Sequence, residues 1–259
     1  MSFQKANIIK RNPHAGALQK HWFSLLLLFL PLVSVVSIHI ALLTAFIFTF
    51  LVPGLIFSRF FRLESYEVLA FVPILSVLVS TQLVYYLSLL FGYSRVTILV
   101  SFLALAVVYA LVNSRKEETR LKNFFKAKQF NRTTLLIFLL IFILALVILY
   151  RSVWFENETG IVITGSNWQD TPVHYEIIES INGGNFPPEM PYYSGDRMNY
   201  HYFVDFHTAI LEKVYGFLPK LLPVSNAIFI LIFALSIYSL ARVNGERAAA
   251  FSTLIVTFG

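Results

Sequence analysis

The run from Trp22 to Phe57 is 36 residues long and holds a single titratable group, His39. A globular core has no use for a run that long, and a bilayer-spanning helix needs only about 20 such residues. The run is too long for one crossing and just long enough for two short ones. Pro31 and the softer stretch Ser34 to His39 place the turn between them at about 37–40. Further apolar runs follow at about 66–91, 95–112, 133–151 and 221–241. The predicted class is therefore an all-α integral membrane protein, a polytopic helix bundle. Composition agrees: 57% of the residues are hydrophobic and 13% charged, against about 25% charged in a soluble domain.

The 36-residue run is too long for the core of a cleaved leader, so it reads as a retained anchor. The last run, 248–259, is too short to cross. It reads as the start of a further span in a chain truncated at its C-terminus. With no cysteine, the chain excludes disulfides, thiolate metal sites and cysteine nucleophiles.

Lys and Arg set orientation. If each apolar run crosses once, fifteen basic residues fall on one side. Lys5, Lys10, Arg11 and Lys20 lie in the tail 1–21, Arg59 and Arg62 after the second span, seven in the loop 114–132, and Arg242 and Arg247 after the last complete span. The other side receives nine of the fourteen acidic residues, all between Glu156 and Glu212. The expected topology has the N-terminus and the 114–132 loop cytoplasmic and segment 152–220 outside, with the plasma membrane as the location. The net charge of +6 is a topology signal rather than a nucleic-acid footprint.

Segment 152–220 is the one long non-membrane stretch, and it holds Trp154, Trp168 and ten Tyr or Phe residues from Phe155 to Tyr215. Its first helix is predicted at about 171–182, capped by Asp170 or Thr171 with Pro172 in the first turn. Val173, Ile177, Ile178 and Ile181 give it an apolar face, and Gly183-Gly184 end it. Asp170 and His174 share a face, being four apart. A second helix is predicted at about 200–215. On it His201, Asp205, Thr208 and Glu212 recur as one polar stripe, which must face water, a cavity or another polar helix. His207 lies off the stripe and reads as packing.

The stretch from Asn167 to Gly216 resembles the motif region of the YYY-type multi-span membrane proteins, named for a run like Asn-Tyr-Tyr-Tyr-Phe. Here that run stands as Asn199-Tyr200-His201-Tyr202-Phe203, after a similar Pro-Pro lead-in, "FPPEMPYYSG". Such proteins are grouped with the GT-C class of multi-span glycosyltransferases. The resemblance implies a GT-C-like fold and a polyprenyl-phosphate-linked sugar as donor. A glycan, lipid or protein would be the acceptor. It also implies an outer-loop acid acting as base or metal ligand, and by position that acid is Asp170. On this reading Asp170 and His174 are catalytic. His201, Asp205, Arg197, Tyr200 and Tyr202 bind substrate, with Arg197 nearest for a lipid phosphate. Asp170 and Asp205 are the candidate ligands for Mg²⁺ or Mn²⁺, the metals that suit oxygen donors. Two other classes stay open: a transporter or flippase, and a non-catalytic membrane scaffold. The complete spans hold almost no ionisable residues, which speaks against transport.

Overall fold

A computed structural model describes residues 13–61, 63, 65–113, 131–158, 160–163, 170–193, 195–216 and 219–258. The start of the tail, most of the basic 114–132 loop, and Trp168 lie outside the described residues. Among those described, the chain is a helix bundle: α1 (Pro13–Val33), α2 (Ile38–Phe50), α3 (Val52–Phe57), α4 (Ser65–Phe91), α5 (Arg95–Asn113), α6 (Arg132–Ser152), α7 (Asp170–Asn182), α8 (Phe203–Tyr215), α9 (Leu221–Ala241) and α10 (Glu246–Phe258). Among the described residues, five segments are long and apolar enough to cross a membrane: Ile38–Phe60, Tyr66–Phe91, Arg95–Val112, Arg132–Ser152 and Leu221–Asn244. The one sheet among the described residues is a two-stranded hairpin, Phe155–Asn157 paired with Gly160–Val162.

The first turn falls at Ser34–Ser37, slightly earlier than the expected 37–40. Two β-branched valines between two serines disfavour the helix there. Ser37 is extended (φ −124°, ψ 122°) and starts α2, so His39 belongs to the first turn of that helix. The Ser34 hydroxyl donates to Thr44 Oγ1 at 2.7 Å, and Arg95 donates to the Ser34 carbonyl at 2.7 Å, pinning the turn to α2 and α5.

The second span is broken at Leu51 (φ −130°, ψ −54°). Pro53 has no N–H to return to Thr49, so the helix must restart. Gly54 then meets α4 so closely that a Cβ would lie 1.9 Å from the Val72 carbonyl oxygen. Its N–H donates to Ser76 Oγ at 2.8 Å. Only glycine allows these two backbones to approach like this.

The larger core unites α1 to α5 with α7 and α8. A smaller one, around Phe138, Ile141, Ala234, Tyr238 and Ala249, joins α6, α9 and α10. Leu136, Leu140, Ile143 and Val147 on α6 are bare, as befits a lipid-facing stripe.

α8 does not lie flat on the bundle. It is wedged among α2, α4, α5 and α9, with Ala209, Ile210 and Leu211 fully buried. Gly216 sits against Ile38 at the start of α2, while His207 meets Phe50 at that helix's far end. The polar stripe therefore faces polar partners on other helices, not water.

Candidate functional site

α7 forms because Val173, Ile177, Ile178 and Ile181 recur at helical spacing, and three of them are buried. Gly184, at φ +112°, stops it in a conformation that suits glycine. α8 begins at Phe203, with Tyr202 as its cap residue. The two helices pack side by side, and this contact joins the central pair of the site. His174 Nδ1 lies 2.9 Å from Asp205 Oδ1 and 3.1 Å from Oδ2. An ionised Asp205 can only accept, so Nδ1 carries the proton and donates, leaving Nε2 as the basic nitrogen.

The environment of the pair is graded. The Asp205 side chain is 3% exposed and that of His174 is 30% exposed. His174 is held above the ordinary histidine pKa, first by the Asp205 hydrogen bond and then by the charges of Asp205 and Asp170, with burial opposing. The sequence pairs each imidazole with an acid on its own helix. The fold pairs His174 with Asp205 across helices instead.

Beside the pair is a hollow of about 320 Å³. Its walls are Tyr200, His201 and Tyr202 on one side and Thr81, Gln82 and Tyr85 of α4 on the other, with Phe206 between. Tyr200 connects hollow and pair, its ring 6.0 Å from His174 and 4.1 Å from His201, on which it stacks. Aromatic walls with a few hydroxyl and amide groups suit a ring-shaped polar ligand. Tyr202, beside Tyr85, has its hydroxyl pKa pushed up to about 12, chiefly by burial.

His201 lies before α8 begins and is exposed, so it does not belong to the stripe on that helix. The reason is local. The Glu189–Arg197 bridge and the Met198 N–H bonded to the Pro188 carbonyl tie down the chain at 197–198, and the helix starts only after Tyr202 (φ −101°, ψ 9°). Asp170 is exposed at the first position of α7 and acts on His174 through its charge. Arg197 is exposed in the bridge. Among the described residues, no three His, Asp or Glu side chains gather in a way that could hold a metal ion. Both Asp205 oxygens already face His174, so Asp170 and Asp205 do not make a prepared divalent site.

Toward the C-terminal ends of α7 and α8 lies a second polar centre, which sequence reading did not single out. Glu179 and Glu212 face each other, each with a buried Oε1 that lacks a hydrogen-bond partner. A proton held by Glu212 and donated to Glu179 would satisfy both. Burial first, and Glu179 second, push the Glu212 carboxyl pKa up to about 9. Asn182 Nδ2 donates to Glu212 Oε2 at 3.3 Å, and Lys213 Nζ donates to the Asn182 carbonyl at 2.6 Å. The Tyr93 hydroxyl closes the cluster on Asn182 Oδ1 at 3.3 Å. The available signal was Glu212, on the stripe seven residues beyond Asp205. Glu179 had none, because its partner comes from another helix. His207 is fully buried between the Phe50 and Phe229 rings, at 4.9 and 5.3 Å. Burial lowers its pKa to about 3, keeping it neutral.

A bundle of apolar helices long enough to span a bilayer, with two short helices carrying a buried acid–imidazole pair between them, defines an integral membrane protein. The model of an uncharacterized membrane protein family, DUF2298, matches residues 78–258, well over half of the chain, and the chain belongs to that family. The match takes in α7, α8, the His174–Asp205 pair and every residue lining its hollow. No curated protein and no solved structure matches the chain.

Proposed function

We propose that the chain is the membrane-embedded part of a GT-C-like glycosyltransferase. It would take a sugar from a polyprenyl phosphate and work where α7 meets α8. The His174–Asp205 contact carries this reading: a base and its orienting acid brought together from two elements, beside an aromatic-walled hollow of about 320 Å³. The bias of Lys and Arg supports a cytoplasmic N-terminus and an extracytoplasmic position for this end of the bundle, and the plasma membrane is the location this reading proposes.

In this reading the acceptor hydroxyl, from a glycan, lipid or protein, approaches His174 Nε2. As its oxygen bonds to the anomeric carbon, the bond from that carbon to the phosphate oxygen breaks. The proton passes to Nε2, and polyprenyl phosphate leaves with the bonding pair. Asp205 fixes the tautomer and stabilises the imidazolium that forms. Asp170 adds negative charge on the exposed side of His174. Tyr200, His201 and Tyr202 hold the sugar, and Arg197 meets the phosphate. Should Mg²⁺ or Mn²⁺ bind, it would neutralise the leaving phosphate; no step above depends on it.

The test is transfer from a polyprenyl-phosphate sugar pool by membranes containing the full chain with His174→Gln, Asp205→Asn or Asp170→Asn. The first two should lower transfer by about 10²–10⁴-fold at unchanged protein level, and Asp170→Asn by less. Wild-type rates in His174→Gln and Asp205→Asn would overturn the reading.

A further inference from the structure

A second hollow, of about 550 Å³, lies at the other side of α7, where α6 ends. It is separate from the His174 site. Its floor is Leu146 and Val147, and its rim carries Tyr150, Arg151, Trp154 and Lys220. We propose that this groove binds an anionic phospholipid of the leaflet on the α7–α8 side, its phosphate between Arg151 and Lys220 and one acyl chain along α6.

Three observations converge on that occupant. The first is continuity with lipid: Val147 stands four residues before Arg151, on one helical face, and Leu140, Ile143 and Val147 are all bare. A chain lying on that stripe arrives at Arg151. The second is charge. Arg151 lies over the Phe155 ring at 5.5 Å, and Lys220 is brought to the same rim by the Tyr150 hydroxyl, which donates to the Lys220 carbonyl at 3.3 Å. Two cations face one carboxylate, Glu156, which accepts from Lys220 Nζ at 2.6 Å and from Trp154 Nε1 at 2.8 Å. Among the residues lining the groove there are two cations and one carboxylate, and a phosphate can take over the Lys220 contact. The third is depth. Tyr150, Trp154 and Phe155 at the end of a span mark headgroup level. An occupant must combine a hydrocarbon chain with an anionic head, which a free phosphate and a zwitterionic lipid do not. The Trp154 ring lies 5.5 Å from Tyr175, the residue after His174, so occupancy bears directly on α7.

The experiment reconstitutes the full chain, with Trp22→Phe and Trp168→Phe, in vesicles where Trp154 is the sole tryptophan. Its fluorescence is quenched by brominated phosphatidylglycerol or brominated phosphatidylcholine as a minor component. Quenching should favour phosphatidylglycerol about tenfold or more, at about 1 kcal/mol per interfacial cation. Arg151→Gln with Lys220→Gln should abolish the preference. Glu156→Gln, which removes the competing carboxylate and leaves both cations, should strengthen it. The Glu156→Gln arm decides if the double variant fails to fold. Equal quenching by the two lipids, or a preference unchanged by these variants, overturns the proposal.

Discussion

Replacing Glu212 with Gln tests the buried carboxyl pair by pH. Glu212 is 1% exposed, and its carboxyl pKa is pushed up to about 9. A carboxyl raised on folding holds a proton that the unfolded chain releases. Its stabilisation is complete below the unfolded value, near 4.5, and is lost as pH rises towards the folded value. One proton makes a slope of about 1.4 kcal/mol per pH unit. His207 works in the opposite sense: burial lowers its pKa to about 3, so the fold loses stability as pH falls below about 6.5. The two slopes offset each other between pH 4.5 and 6.5, and the measurement belongs above that. From pH 7 to 8.5 the wild type should lose roughly 2 kcal/mol. At about 2–4 °C per kcal/mol that is a fall of roughly 4–8 °C in Tm. His174, raised too, adds to the fall in both proteins, so the difference between them reports the Glu179–Glu212 pair. Thermal unfolding of the chain in nanodiscs, followed by circular dichroism, provides the assay. Glu212→Gln should flatten the decline and melt higher than wild type at pH 8.5. A wild-type Tm constant across this window, or a variant with the same slope, would refute the shared proton.

His207→Leu removes one of the two offsetting slopes, so its stability should rise as pH falls from 6.5 to 4.5 where the wild type stays nearly level, with the alkaline window unchanged, as read by the same melts. Gly54→Leu drives a side chain into the Val72 backbone and should cost more than the ~1–3 kcal/mol typical of overpacking, seen as failure to recover monodisperse protein. Ser76→Ala removes only the hydrogen bond to the Gly54 N–H and should cost ~1 kcal/mol. If His174 is the base, transfer falls as pH drops through its raised pKa. Asp205→Asn removes the main cause of that elevation, so the acid limb of the pH–rate profile should move to lower pH. Because the chain has no cysteine, single cysteines report topology cleanly. One at Tyr192 should react with an impermeant maleimide in intact cells, and one at Lys122 only after permeabilisation.

Much of the bundle was legible because apolar runs of bilayer length leave a chain few options. The stop at Gly183-Gly184 was legible because the residue pair does the work by itself. The break at Leu51 was missed although Pro53 announces it, since uninterrupted hydropathy concealed the backbone problem. The hairpin at 155–162 is too short to show a period. At the site, spacing put Asp170 with His174 and His201 with Asp205. Helical spacing describes neighbours on one helix, and it assumed that α8 reached back to residue 200. The non-helical segment before Phe203 takes His201 out of that frame, and the packing of α7 on α8 supplies His174 with its partner. The aromatic wall from Tyr200 to Tyr202 was readable as composition, but its companions Thr81, Gln82 and Tyr85 arrive from more than a hundred residues away.

The central claim is that His174 and Asp205 act as one unit. Its most direct measurement is glycosyl transfer by the reconstituted chain carrying His174→Ala, Asp205→Asn and both together. Groups that work as a unit lose their effect once. The double variant should therefore be no slower than His174→Ala alone, with both far below wild type. Losses that multiply, or full activity in either single variant, would contradict the account.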